Sequence, residues 1–270
     1  HYSRALLLIA GRSLKPTPTN PPKRPCPSSR SRAGTSIPCG YACRWSRNSC
    51  VQPSLMCCAC KRPNAPTNCF RPKRSQKGHH GVAIISRLPF EAESRAVFAA
   101  KDDCRHVCVT LRPEGNAAIE IHDFYVPSGG DVPDPESNAK FAHKLAFLKS
   151  MRTFCAKLAD ANCDARRVLL GDLNIAPLEH DVWSHKQMLD VVSHTPIEIE
   201  NLSKVLAAHD WRDLTRVHAP EPEKVYTWWS YRAKDWAASD RGRRLDHIWA
   251  SPSLAASMRG IEILRAARGW

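Results

Sequence analysis

The rhythm of apolar and polar positions changes along this chain near residue 78. Beyond it, short β-branched runs alternate with longer helical patterns. Gly81 to Ser86, GVAIIS, is bounded by glycine and by Pro89 and predicts a buried strand. Cys104 to Leu111, CRHVCVTL, is a second strand with partial alternation. Ala117 to Tyr125, AAIEIHDFY, is a third, and the Val-Pro-Ser-Gly-Gly after it is a loop by its turn chemistry. A long helix follows Asp134 to Ser137, with Ser137 as N-cap. Phe141, Leu145, Leu148, Met151, Phe154, Cys155 and Leu158 recur at helical spacing, so one face packs on a core. Arg167 to Leu170, RVLL, is a buried strand ending at Gly171-Asp172-Leu173-Asn174. A helical stretch, Leu202 to Ala208, leads to Trp211 and Leu214. Val225 to Tyr231 reads as an aromatic strand, and Leu245 to Ser251, LDHIWAS, as the last clear one. Strands and helices are interspersed, with hairpin-like pairs as well as crossovers. The fold class is α/β (α+β), mixed sheets covered by helices rather than one doubly wound parallel sheet.

Residues 1–77 follow neither period. They hold 11 of the 21 prolines, 15 Lys and Arg, no Asp or Glu, and eight of the 12 cysteines. Prolines at 16, 18, 21, 22, 25 and 27 forbid regular structure there, and the composition predicts a largely disordered tract. Four readings stand beside one another. Cys57 and Cys60, with Cys39 and Cys43 and with Cys50 and Cys69 nearby, could form a zinc module. The Arg- and Ser-rich, acid-poor composition fits a transit peptide. A basic arm could bind DNA phosphates nonspecifically. The absence of acids, the clustered Cys, Pro, Arg and Ser and the abrupt change near Gly78 favour the fourth, out-of-frame translation of an ordinary N-terminus.

Charge changes the picture less than its total implies. The net +14 divides into +15 for residues 1–77 and −1 for the remainder, so total charge says little about what the folded part binds. No apolar run approaches the roughly 18 residues of a membrane span. Cys104, Cys108, Cys155 and Cys163 read as small buried hydrophobes of a reducing cytoplasm.

Four motifs offer chemistry. Gly171-Asp172-Leu173-Asn174 delivers a carboxylate and an amide to a strand end, on the same side by alternation. The carboxylate takes a proton or holds a metal, and the amide donates to a phosphoryl oxygen; an Asx turn is the plain alternative. Arg241-Gly-Arg243-Arg244-Leu245-Asp246 sets three phosphate-suited guanidinium groups before a strand, or else a surface ion pair. Tyr125 ends a strand beside a glycine loop, where its phenol could reach a phosphate or serve as a core aromatic. Thr227-Trp228-Trp229-Ser230-Tyr231-Arg232 puts adjacent aromatics on opposite faces, one for packing and one for stacking.

In order, GVAIIS, YVPSGG, RVLLGDLNIAP, YTWWSYR and RGRRLDHIW resemble the exonuclease III branch of the endonuclease/exonuclease/phosphatase superfamily, and so do DPESNAKFAHKLAFL and PLEHDVWSHKQ between them. The likeness covers residues 78–270 and implies a four-layer sandwich, two mixed β-sheets flanked by helices, here incomplete at both ends. It implies hydrolysis of DNA phosphodiesters with Mg²⁺ or Mn²⁺, at 3′ ends and abasic sites of duplex DNA, by a cytoplasmic monomer. Asp172 would align water or contact the metal, Asn174 would hold the phosphoryl group and the metal, Tyr125 would contact the scissile phosphate, and Asp246 would orient a histidine. Ser128, Trp228, Trp229, Arg232, Arg243 and Leu245 would line the substrate. The family's opening strands, with an Asn and a Gln-Glu pair, and its final Ser-Asp-His motif have no counterpart here, and His247 points away from Asp246. The expectation is marginal stability, with an impaired remnant that binds nucleic acid nonspecifically as the alternative function.

Overall fold

The computed structural model describes residues 81–86 and 88–265 together with three short upstream strands, β1 (Leu7–Leu8), β2 (Leu55–Cys58) and β3 (Asn68–Phe70). Those strands lie inside the tract expected to lack regular structure. The tract's remaining residues, including Cys39, Cys43, Cys50 and Cys60, lie outside the described set, and the zinc reading with them. The chain continues through β4 (Ala83–Ser86), β5 (Phe90–Ser94), β6 (His106–Leu111), β7 (Ile119–Tyr125), helix α1 (Ala139–Ala161) and β8 (Arg167–Asp172). After a 3₁₀ turn at Glu179–Asp181 come α2 (His185–Met188), α3 (Pro196–Ala207), β9 (Arg212–Asp213) and α4 (Leu214–His218). The remainder is β10 (Trp228–Trp229), α5 (Trp236–Ser239), β11 (Gly242–Arg243), β12 (Asp246–Ala250), α6 (Pro252–Ala255) and β13 (Glu262–Ile263). Among the described residues no helix is long and apolar enough to cross a membrane.

A six-stranded mixed sheet in the order β5-β6-β7-β8-β12-β9 carries the molecule. β5, β6 and β7 form an antiparallel meander, whereas β7 and β8 run parallel because α1 carries the chain back across the sheet. Alternation then divides the side chains. Phe124, Leu169 and Trp249 face α1 and α3, meeting Phe147, Leu148, Met151 and Cys155 of one helix and Leu202 and Val205 of the other. Ile121, Val168, Leu170 and Ile248 face the opposite way, onto Val82 and Ile84. Ile84 lies in β4, the centre of the second sheet, β2-β4-β3. Two sheets therefore pack face to face, with helices on the outer face of the larger one.

Some boundaries differ from the pattern-based expectation. Asn138 caps α1, accepting from Lys140 N, because Asp134 already binds the amide and hydroxyl of Ser137. The buried face of α1 includes Lys144 and Phe147, and Leu145 and Leu158 are only half-buried. The aromatic strand is two residues long, not seven. Its partner β11 lies between Asp240, in a left-handed conformation, and Arg244, whose guanidinium turns into the core. Of the four downstream cysteines, Cys163 is exposed rather than buried.

A polar chain crosses the helix-facing side. His106 Nδ1 accepts from Ala96 N at 3.0 Å, so its Nε2 carries the proton and donates to His122 Nδ1 at 3.2 Å. Phe98, Phe124 and Phe154 surround the pair. Burial, then His122, lowers His106 to about 2, and burial lowers His122 as well. The folded state thus keeps His106 neutral, while the unfolded chain takes up its proton below about pH 6.5. Its share of stability is complete above that pH and is lost as pH falls. For His106→Gln, the drop in urea unfolding free energy between pH 7.5 and 5.5 should be smaller than in the parent by about 1.4 kcal/mol. Equal drops would show that His106 titrates alike in both states.

Candidate active site

Three strand ends meet on the face of the larger sheet that turns towards β4. The pairing register sets Tyr125 of β7 beside Asp172 of β8, and Asp172 beside Asp246 of β12. By alternation all three point towards the second sheet, continuing the apolar columns Ile121, Val168–Leu170 and Ile248–Ala250. One row deeper, opposite Leu170, sits Asp123, two residues before Tyr125 on the same face and 3% exposed. A phenol and three carboxyls thus top a hydrophobic layer. Burial, then Asp172, pushes Asp246 well above the usual carboxylate range. Burial, then Asp246 and Asp172, does the same to Asp123. Burial, then Asp172, raises Tyr125 and keeps it a phenol that can donate. Asp123 Oδ2 and Asp246 Oδ2 are buried with no hydrogen-bond partner among the described residues. Arg105 is the nearby counter-charge. It lies 4.8 Å from the Tyr125 ring centroid and binds Asp103 at 2.6 Å.

The turn after β8 is built from glycine and an Asx bond. Gly171 has φ +124°, and a Cβ there would fall 2.1 Å from Phe124 O, so no larger residue fits. Asp172 Oδ1 accepts from Asn174 N at 2.9 Å, and Asn174 adopts a left-handed φ of 53°. Asn174 therefore reaches the site by a turn and not by strand alternation. Its amide donates one hydrogen to Val126 O at 2.9 Å and has a second to offer.

Beneath the turn is a fully buried ammonium. Lys144 Nζ donates to Asn174 O at 2.8 Å, to Ser128 O at 3.3 Å and to Glu198, which uses all three of its hydrogens. Glu198 also accepts from Ser193 N, Thr195 N and Thr195 Oγ1 as the acid of the α3 capping box. Ser193 Oγ in turn accepts from Arg243 at 2.9 Å. One network thus ties Ser128 and Asn174 on one side of the site to Arg243 on the other.

The expected arginine and aromatic residues separate. Arg243 pairs with Trp228 across β10–β11 and lies 5.4 Å from its ring centroid. Trp228 packs against the buried cluster of Ala176, Val182, Met188 and Leu245. Trp229 points the other way, 4% exposed, its Nε1 donating to Asp240 at 2.9 Å and its ring packed on Trp236. It belongs to packing, not to a substrate surface. Arg232 lies in an exposed turn that starts at Ser230, and Ser128 is exposed above Lys144. Arg244 overturns the phosphate expectation. It is fully buried, bound to Asp181 at 2.7 and 2.9 Å and to Asp213 at 2.8 Å, because those two carboxylates, at the end of the 3₁₀ turn and of β9, need a cation between them. His247 faces away from Asp246 as expected, bonded to Ile175 O at 2.8 Å.

Asp123, Arg105, Lys144 and Glu198 escaped the motif reading. Asp123 was visible as the i−2 neighbour of Tyr125, and Glu198 as the acid of Thr195-Pro-Ile-Glu. Nothing local marks Lys144 as buried. The oxygen-only donors suit a hard cation, and the two orphaned carboxylate oxygens leave acceptor capacity for one. Among the described residues, no three His, Cys, Asp or Glu side chains are grouped to hold a metal by themselves. A cation here would depend on substrate phosphate and water for its other ligands, as magnesium commonly does.

Comparison with known proteins gives this arrangement a context. The model of the Endonuclease/Exonuclease/phosphatase family matches residues 33–268. An exodeoxyribonuclease of Bacillus subtilis is 35% identical over 192 residues, 70% of this chain and 69% of that protein. A DNA-(apurinic or apyrimidinic site) endonuclease of Dictyostelium discoideum is 27% identical over 186 residues, 68% of this chain, and the match spans about half of that protein, 48%. The solved 3′-5′ exonuclease of Neisseria meningitidis superposes with a TM-score of 0.61 at 26% identity, covering 72% of this chain and 70% of that one.

Removing one member of the Lys144–Glu198 pair leaves a buried charge uncompensated. Lys144→Met should lower the urea unfolding free energy by about 3–5 kcal/mol. Adding Glu198→Gln to it should restore at least about 1 kcal/mol. A single variant as stable as the parent would refute the structural role of the pair.

Proposed function

This chain belongs to the endonuclease/exonuclease/phosphatase family, and from that premise we propose that it hydrolyses phosphodiester bonds of duplex DNA, at abasic sites and 3′ ends, in the manner of a DNA-repair nuclease. The observation that carries this reading is the row Tyr125–Asp172–Asp246, closed by the Asn174 turn, on the sheet face towards β4. In the reaction water adds to phosphorus, one P–O ester bond breaks, and the departing oxygen takes up a proton. Asp172 orients the attacking water and accepts its proton. The second amide hydrogen of Asn174 and the phenol of Tyr125 donate to the non-bridging oxygens, whose charge grows in the transition state. Arg105 sets the ring of Tyr125 through its stacked guanidinium and through Tyr125 O at 3.3 Å. The Trp228–Arg243 stack supplies an aromatic face for a sugar that lacks its base.

Asp172 and Asn174 would hold Mg²⁺ or Mn²⁺, which supplies charge neutralisation at the phosphate when bound. Support comes from the donor chemistry. The carboxylate of Asp172 and the amide oxygen of Asn174 are hard ligands, Asp123 and Asp246 beside them each keep an unpartnered oxygen, and the apolar layer beneath sharpens their electrostatic effect. The carboxyl cluster is costly to the fold, since like groups one row apart resist ionisation together. Sites of this kind are held by the structure around them, here by the Lys144 network.

The test is cleavage of a duplex with a single abasic site by the full chain, with Mg²⁺ and with EDTA. Cutting that EDTA stops, and that Asp172→Asn slows by at least about 100-fold, is expected. A folded sample that does not cut, or one whose cutting ignores both EDTA and Asp172→Asn, would overturn the reading.

A further inference from the structure

Beside the Trp228–Arg243 stack the structure builds a second one. The Arg241 guanidinium lies 4.6 Å from the ring centroid of Trp183. Both tryptophans are partly buried against one apolar cluster of Ala176, Val182, Met188 and Leu245. The backbone binds the two stacks together. Val182 bridges Arg243, Trp183 N donates to Gly242 O at 3.1 Å, and Gly242 alone separates the two arginines. The two arginines are two residues apart on one segment, about 6.6 Å by the advance of an extended chain, with Trp228 on the strand to one side of it and Trp183 on the segment to the other.

The two guanidinium groups are not equally occupied. Arg243 donates to Ser193 Oγ at 2.9 Å and to Val192 O at 3.3 Å. Arg244, next along, is consumed by Asp181 and Asp213. Arg241 is exposed and, among the described residues, makes no ion pair and donates to no side chain. Its guanidinium lies over the Trp183 ring, and on an exposed side chain its N–H edge is open to solvent. That edge matches a phosphate bidentately.

We infer that Trp183 and Arg241 form a second nucleotide subsite, which takes the phosphate and sugar-base edge of the DNA nucleotide flanking the one seated at Trp228 and Arg243. It rests on the DNA reading proposed above and deepens it. Arg241 binds the phosphate, and the exposed part of Trp183 packs on the adjoining nucleotide. The subsite extends the footprint along the strand and adds affinity without touching the reacting atoms. Its effect is on binding, not on the chemical step.

The test uses the full chain with a fluorescent duplex carrying one abasic site, in EDTA so that no cutting occurs. Anisotropy gives Kd at several salt concentrations. Arg112, exposed and paired with Glu91 at the outer strands β5 and β6, is the control. Differences from the parent cancel what the basic tract of residues 1–77 contributes. Arg241→Ala should raise Kd about tenfold at low salt and reduce the slope of log K against log salt by about 1, while Arg112→Ala changes neither. Trp183→Leu, which keeps the site apolar, should raise Kd about three- to tenfold with the slope unchanged. A parent that binds and cuts, with Arg241→Ala indistinguishable from Arg112→Ala, overturns the subsite alone. A parent that binds without cutting, and loses affinity with Arg241→Ala, sustains the subsite while the nuclease reading falls. A parent that does not bind the duplex removes both.

Discussion

An ammonium with no water around it must find three acceptors, and Lys144 finds them in Ser128 O, Asn174 O and Glu198. Its helix, its loop partners and α3 cannot shift independently without breaking one of those bonds. A buried ion pair of this kind contributes little net stability compared with a well-packed apolar pair, because desolvation cancels most of the attraction. Its effect is specificity. Only one relative placement of the β7 loop, the β8 turn and the α3 N-terminus satisfies both charges. The turn is already confined by Gly171, whose hydrogen faces Phe124 O where any Cβ would collide. Backbone sterics from above and a cation from below leave Asn174 a single position.

That rigidity offsets an arrangement the sheet would otherwise resist. Two acids set directly opposite cannot both ionise without destabilising a sheet, and Asp172 and Asp246 are so placed; burial, then Asp172, holds Asp246 above the usual carboxylate range. Asp123, one row down among leucine and isoleucine, adds a third carboxyl where water does not reach. A sheet chosen for stability alone would continue its apolar columns to the edge. Here the columns end in acids, and the orphaned oxygens of Asp123 and Asp246 record the cost. Among the described residues His209, Trp211, Arg216 and Trp249 also keep a buried atom without a partner, so an orphan alone does not mark the site; these two stand apart because both are carboxyls at neighbouring strand ends.

Four strands of the central sheet, β6, β7, β8 and β12, were legible as apolar runs bounded by turn residues, whereas β5 and β9 were not, because FEAES and RD hold no β-branched residue and are strands only through their partners. The row Tyr125–Asp172–Asp246 was legible as three polar strand ends, although its register required the pairing itself. Other features depended on distant partners. The side chain of Lys144 looks like any lysine on a helix until Glu198, more than fifty residues away, draws it inward and rotates the buried face past Leu145. Val225 to Tyr231 has the composition of a strand, yet a strand is only as long as its partner, and β11 ends where Arg244 dives into the core. Trp228 and Trp229 were correctly read as opposite-facing, and the family resemblance had already placed Trp228 with Arg243 and Leu245; the structure adds the cross-strand pairing that sets Arg243 over the ring.

The four residues from Arg241 to Arg244 show why charge is a poor guide to binding. One arginine is a buried strut between Asp181 and Asp213, one is stacked on Trp228 and bonded to Ser193, and one is exposed on Trp183. Composition counts them alike; geometry gives them three different tasks. The same holds for the whole chain, where residues 1–77 supply +15 and the remainder nearly nothing. Nonspecific attraction to a polyanion scales with total cationic charge and is blind to sequence and lesion. Discrimination by the proposed nuclease would come from the nearly neutral part, where charges are few and each is positioned. There the acids sit on the sheet face towards β4 and the available cations on the ribbon beside it, so a phosphate backbone laid along the ribbon would be held by arginine while one phosphorus is brought to the carboxyl row. On the proposed reading attraction and chemistry fall to different residues, and Arg243 is tied to the Asn174 turn through Ser193, Glu198 and Lys144.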